Sequence, residues 1–286
     1  MAETPPRFRR PERLSSWRRL AVHVWRAPKD PTVYGLLEVD MRRSVEYLAA
    51  LNAVPGGARV TPAHLVVKAI AKALAETPEA NGMIAGGRIW LRDSVDVYCQ
   101  VATDGGRDLS GVKIRHADRK GPAEIADELT ERAASVRAGR DPGSEATKKA
   151  LAGVPDFLLK PILWLTGLLT FDLRLDLSSL GIAYDQFGGA MVSNVGGFGL
   201  RSGLAPLVPV SRCPIVLLVG EVTERPLAED GVVIAAPVLS IGATFDHRLI
   251  DGYQGSMMAR IVIDAVRDPE AAFGPPVRPS APSRSS

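Results

Sequence analysis

The sequence predicts an α/β sandwich. Strand-like apolar runs alternate irregularly with helical segments that each carry one apolar stripe. Capping residues, prolines and a two-residue turn bound those segments sharply. Of the 286 residues, 46% are apolar and 23% charged, enough for one sizeable buried core in a globular chain. The irregular alternation argues against the strict βαβ repeats of a doubly wound parallel sheet.

The elements follow in order. Tyr34–Val39 reads as a strand, and Asp40 as the cap of a helix over Met41–Leu51. Thr61 followed by Pro62 is a strong helix start, a capping hydroxyl and then a proline at the first helical position. Leu65, Ala69, Lys72, Ala73 and Glu76 continue at helical spacing until Thr77 and Pro78 end the run. Strands are predicted at Arg88–Leu91, Val95–Thr103 and Val112–Arg115. Gly121 and Pro122 open a helix to about Arg137, with Ile125, Leu129 and Val136 on its apolar side. A glycine-rich strand surrounds Ala190–Val195, and another strand covers Ile215–Val222. Asp230-Gly231 is a hairpin turn leading into Val232–Phe245, and a last helix spans about Gln254 to Val266.

Charge narrows the function classes. The first 30 residues hold eight Lys and Arg against three Asp and Glu, while the whole chain is only +3. The body is therefore near neutral, which argues against a general nucleic-acid surface. Cys99 and Cys213 have no metal-ligand spacing and sit in apolar runs, so both read as buried thiols in a reducing compartment. No secretory signal and no run of ~18 apolar residues is seen, so the expected location is the cytoplasm and no metal is expected. Residues 1–14 and 274–286 read as mobile basic and Pro/Arg/Ser-rich tails around one domain at 15–273.

The chemical signal is Thr244-Phe245-Asp246-His247-Arg248-Leu249-Ile250-Asp251-Gly252. It places His247 between a long strand and a helix, with Asp251 four residues on and Gly252 suited to a tight backbone path. This segment closely resembles the signature of the catalytic domain of 2-oxoacid dehydrogenase acyltransferases, a His-x-x-x-Asp-Gly motif shared with chloramphenicol acetyltransferase. The likeness extends to residues 60–81, to Lys113–Lys120, to 191–197 (MVSNVGG) and to 214–245, in the family's order, covering roughly residues 33–273.

The resemblance implies a chloramphenicol acetyltransferase-like two-layer sandwich with a mixed sheet, assembled as a trimer or a larger cage. It implies His247 as the general base that takes the proton of a coenzyme A or dihydrolipoamide thiol, whose pKa near ~8.5 leaves it mostly protonated at neutral pH. By the same resemblance, the Ser193 hydroxyl of a neighbouring subunit stabilises the oxyanion. Asp251 is implied as a structural acid paired with Arg18 or Arg19. Asp246 and Arg248 are expected to shape the loop. Asn194, Arg248 and Arg107 are the expected substrate-binding positions. Acyl-CoA is the expected substrate.

Three departures from the family are visible. No lipoyl attachment site or lipoyl domain is recognised, so a lipoyl-bearing protein is expected in trans or the acceptor differs. The family's channel segment is replaced by Gly106-Arg107-Asp108-Leu109-Ser110-Gly111-Val112, where Arg107 or Lys113 is a candidate for a phosphate. Residues 140–188 replace a short connection with an apolar stretch expected to form an amphipathic helical pair. Extra trimer packing, a wall for an apolar acyl chain and a membrane-surface contact through 154–175 are its three open readings. Two other functions stay open: a non-catalytic scaffold subunit, and a transferase to a hydroxyl or amine acceptor.

Overall fold

The computed structural model describes residues 30–140, 154–175, 177 and 184–278. Six strands form one mixed sheet: β1 (Thr32–Asp40), β4 (Val97–Thr103), β5 (Asp108–Ile114), β6 (Ala190–Asn194), β7 (Ile215–Glu229) and β8 (Val232–Asp246). Their order across the sheet is β1-β8-β7-β6-β4-β5. The central pairs β4/β6 and β6/β7 are parallel; β1/β8, β8/β7 and β4/β5 are antiparallel. β2 (Gly82–Ala85) and β3 (Arg88–Leu91) make a separate hairpin.

Helices cover one face of the sheet, giving the expected two layers. These are α1 (Arg42–Ala53), α2 (Pro62–Glu76), α3 (Pro122–Arg137) and α5 (Gly252–Arg267), with α6 (Pro269–Phe273) after them. The main core lies between sheet and helices, where Val66 and Ile70 of α2 and Val262 and Val266 of α5 meet Val192, Leu217, Leu239 and Ile241. These side chains are almost fully buried, each stabilising by roughly 1.5–3 kcal/mol through removal from water. On the opposite face, Tyr98, Met191 and Val216 are covered by loop residues, among them Phe187, Ala205 and Leu207. A strap around Arg201–Gly203 crosses that face so closely that a Cβ on Gly220 would strike the Arg201 carbonyl and one on Gly242 the Gly203 carbonyl.

The helix starts follow the sequence signals. Thr61 caps α2, and its backbone N–H donates to His64 Nδ1 at 3.0 Å. Burial is the largest influence on His64 and holds its imidazole down at about 4, so it is neutral in the fold at physiological pH. An unfolded chain would bind a proton near 6.5 that the folded chain refuses, so stability present above that pH is lost as pH falls toward 4. The expected contribution at pH 4.5 is a loss of about 2.5 kcal/mol. Urea midpoints at pH 7 and 4.5 check this. His64→Gln, which keeps an acceptor for Thr61, should lose visibly less on acidification, and equal losses would refute the assignment.

Several boundaries differ from the sequence reading. The α1 cap position is Met41, although the Asp40 carboxylate still accepts from the Arg42 N–H at 3.0 Å. β7 runs to Glu229, past the expected Val222, because Arg225 to Glu229 pair with Val232 to Ala236 in a projecting ribbon held by backbone bonds, not burial. Asp230 and Gly231 close it with φ of 49° and 79°, the two left-handed residues of a type I′ turn. Residues 274–278, expected in a mobile tail, are anchored: Arg278 donates to the Leu51 carbonyl at 3.5 Å and also to that of Ala58.

The insertion is also corrected. Among the described residues it forms one helix, α4 (Asp156–Gly167), running into a π-helical turn at Leu168–Asp172, not a helical pair. Pro161 lies inside α4, and no α4 residue is buried. Phe171 is buried with Met83 and Ala85 of the β2/β3 hairpin, and Asp172 accepts from the Gly86 N–H at 2.7 Å. No helix among the described residues is long and apolar enough to cross a membrane. The candidate arginines Arg18 and Arg19 and the tail at 1–14 lie outside the described residues.

Candidate active site

The turn after β8 is built around Asp246. Its carbonyl accepts from the N–H groups of Leu249 and Ile250, each at 3.0 Å, and its own N–H donates to the Pro214 carbonyl at 3.0 Å. Its carboxylate accepts from the Arg248 N–H at 3.0 Å, Nε at 2.9 Å and Nη2 at 2.6 Å. Burial pushes this carboxyl upward, but the Arg248 side-chain and backbone bonds outweigh it and leave it below the usual carboxylate range. Arg248, expected to bind substrate, is thus engaged in shaping its own loop. Leu249 packs against Gly82, tying the turn to the β2/β3 hairpin that carries the insertion.

His247 stands exposed on this turn, with Nδ1 2.9 Å from the Ile250 carbonyl oxygen. A carbonyl oxygen only accepts, so the ring proton sits on Nδ1 and the Nε2 lone pair is free to take a proton. The spacing of His247 and Asp251 was legible in the sequence. The Ile250 carbonyl as the group orienting the ring was not, because any residue supplies a carbonyl and only the turn geometry aims it.

Asp251 is the N-cap of α5. Its Oδ1 accepts from the Tyr253 N–H at 2.8 Å, and Gln254 Oε1 accepts from the Asp251 N–H at 3.3 Å. Asp251→Ala is expected to cost about 1 kcal/mol of stability, whereas Asp251→Asn, an equally good cap, costs little. Thermal melts of the two variants check this; equal losses would mean that the carboxylate charge, not the cap, matters.

Ser193 lies half-buried on β6 and Asn194 is exposed at that strand's end. Arg107 is exposed in the β4/β5 turn, where the Phe198 ring covers Gly106. Lys113 does not serve as a free phosphate ligand: it donates to the Asp185 carbonyl at 2.8 Å and pairs with Asp96 at 3.3 Å. Both cysteines are buried as expected. Burial pushes the Cys99 thiol up to about 12 and that of Cys213 to about 11, so neither is a nucleophile. Among the described residues no group of His, Cys, Asp and Glu could hold a metal ion.

The sheet register separates the expected partners. Ser193 aligns with Leu218, and Leu218 with Gly242, whereas His247 follows the last residue of β8. Five residues at about 3.3 Å each and two strand spacings of about 4.8 Å put Ser193 and His247 roughly 19 Å apart in one chain. The expected site residues therefore fall into two groups at opposite ends of the sheet: His247, Arg248 and Asp251 at one, Ser193, Asn194 and Arg107 at the other.

Comparison with known proteins agrees with the fold. The model of the 2-oxoacid dehydrogenases acyltransferase (catalytic domain) family matches residues 13–150 and 182–274, leaving out the heart of the insertion. The dihydrolipoyllysine-residue acetyltransferase component of the pyruvate dehydrogenase complex from Staphylococcus aureus is 26% identical over 242 residues, covering 81% of this chain and 43% of that protein. The chain thus spans less than half the length of the curated relatives it matches. A probable dihydrolipoamide acetyltransferase from Listeria monocytogenes 4b F2365 has a TM-score of 0.62 at 21% identity, covering 83% of this chain and 85% of that one. The Azotobacter vinelandii dihydrolipoamide acetyltransferase has a TM-score of 0.61 at 19% identity, covering 85% and 84%.

Proposed function

Because the chain belongs to the family of 2-oxoacid dehydrogenase acyltransferase catalytic domains, we propose that it moves an acyl group between coenzyme A and a thiol acceptor such as dihydrolipoamide, with His247 as general base. The observation that carries this reading is the exposed His247 ring, whose Nδ1 lies 2.9 Å from the Ile250 carbonyl oxygen, an arrangement that leaves Nε2 as the nitrogen to accept a proton. In the Azotobacter relative a serine, a histidine and an asparagine four positions after it are the residues whose catalytic role was studied. This chain has Ser193, His247 and, in the asparagine's place, Asp251.

The chemistry balances simply. The acceptor thiol gives its proton to Nε2, and its sulfur forms a bond to the thioester carbonyl carbon. The oxygen takes the negative charge and accepts a hydrogen bond from the Ser193 hydroxyl. The bond to the departing sulfur then breaks, and that thiolate recovers the proton from His247. Since Ser193 and His247 are far apart within one chain, a complete site needs Ser193 from a second chain, and a trimer is the assembly we infer. A lipoyl group, where it is the acceptor, is supplied by another protein or by a segment outside this sequence.

The test is acetyl transfer from acetyl-CoA to free dihydrolipoamide by the full chain, read as loss of acetyl-CoA. A protein that assembles but transfers nothing to any thiol would be a scaffold, and this reading would fail.

A further inference from the structure

Between the sheet and α5 lies a cavity of about 290 Å³. Ile70 of α2, Leu217 of β7, and Met258 and Val262 of α5 form its walls. Its side chains are otherwise apolar, apart from Tyr34 and Ser256, and none is charged. The Ser256 hydroxyl is already used, donating to the Tyr253 carbonyl at 2.9 Å. Open on one side to the surface, such an apolar cleft favours hydrocarbon over water, which needs several polar partners.

Its position ties it to the reaction. Phe245, two residues before His247, lines it, as do Ile250 and Gly252, the neighbours of Asp251 on either side. The residue whose carbonyl orients the imidazole is thus also part of the cavity wall.

Backbone conformation does not require the space. Gly35, Gly252 and Gly255 line it, yet none has a positive φ. A Cβ at Gly35 or Gly252 would meet nothing within 4 Å, and one at Gly255 would make only ordinary contact with Phe245. Larger residues could fill the volume without moving the chain, so the glycines supply room and not turn geometry.

We propose that this cavity takes the aliphatic tail of the transferred acyl group. The volume is about twice that of a cavity known to hold a six-carbon ring, which suits a chain of roughly six to ten carbons. The inference rests on the acyl-transfer reading and names its substrate class: medium-chain acyl thioesters. Each methylene that enters raises affinity about fourfold.

The test is a series from acetyl-CoA to decanoyl-CoA with dihydrolipoamide as acceptor, using the full chain, Gly35→Val and Ala259→Leu, with folding checked by circular dichroism. The expected result is a kcat/KM for octanoyl-CoA at least equal to that for acetyl-CoA. Either filling variant should lower the octanoyl-to-acetyl ratio at least 30-fold. A wild-type chain that transfers acetyl and rejects octanoyl overturns the cavity inference while acyl transfer stands. So do folded variants that become more stable without changing the ratio, since the space would then be a packing flaw. If either variant fails to fold, the wild-type profile decides. If no acyl-CoA is turned over, the acyl-transfer reading fails separately and binding decides the cavity. Octanoyl-CoA bound at least tenfold tighter than coenzyme A would support it, and equal binding would overturn it.

Discussion

Replacing His247 by alanine is expected to lower kcat for acetyl transfer to dihydrolipoamide by roughly 10²–10⁴-fold, with the KM for acetyl-CoA changed little. The reason is the thiol. At neutral pH most of it is protonated, and a protonated sulfur attacks a thioester poorly. An imidazole with its lone pair on Nε2 removes that proton as the new bond forms. The Ile250 carbonyl fixes which nitrogen bears the lone pair, and Asp246 with Arg248 fixes the turn that carries both. The folded structure should tolerate the change, because the ring is exposed and its Nδ1 bonds to a backbone carbonyl that water can satisfy. Melting temperature should therefore stay within a few degrees while the rate collapses. A His247→Ala chain as fast as the wild type would remove the imidazole from the mechanism altogether.

Sequence patterns reached different parts of the molecule to different depths. Helix starts were sharp because they depend on local chemistry: Thr61 with Pro62, and Gly121 with Pro122, begin α2 and α3 where expected. Strands held by pairing rather than burial were underestimated. β5 begins at Asp108 although Ser110 and Gly111 break any apolar run, since its residues are satisfied by β4 across the ladder. The short β2 strand escaped notice for a related reason: four residues carry too little periodicity, and the Gly86-Gly87 turn with φ of 56° and 70° is what closes the hairpin. Among the described residues of the insertion, 156–172 was misread as a helical pair because apolar composition does not say how many turns pack on one another; Pro161 did not divide the helix there.

The site was legible as a set of residue types and not as a place. His247 and Asp251 fall on one turn, as their spacing implied, and Asp251 takes the helix cap that the following Gly252 to Arg267 segment requires. Ser193 was found by its segment, but nothing in a linear pattern says which end of a strand faces which end of another. That follows only from strand order and direction: β6 and β7 run together, β8 runs back, and the ends carrying Ser193 and His247 point apart. Lys113 shows the opposite limit. A lone cation in a strand reads as available, yet burial beside Asp96 and the Asp185 carbonyl commits it to the fold.

The same strand directions make the second large prediction. Ser193→Ala alone should reduce transfer by roughly 10²–10³-fold, the usual loss of one oxyanion donor. His247→Ala alone is at least as damaging. Mixing the two inactive chains should nevertheless restore activity if each site draws His247 from one subunit and Ser193 from the next. In an equimolar, randomly reassembled mixture, half the His247 positions and half the Ser193 positions are intact, so about a quarter of the sites regain both groups. The recovered rate should approach that fraction of wild type, far above either parent, and should appear only after the subunits have been dissociated and reassembled together. If both residues instead served one chain, every chain in the mixture would lack one of them, and the rate would stay at the level of the parents. A mixture that stays dead after verified subunit exchange therefore rules out the shared site, because a register that separates the two groups by roughly 19 Å leaves no other route by which a single chain could join them.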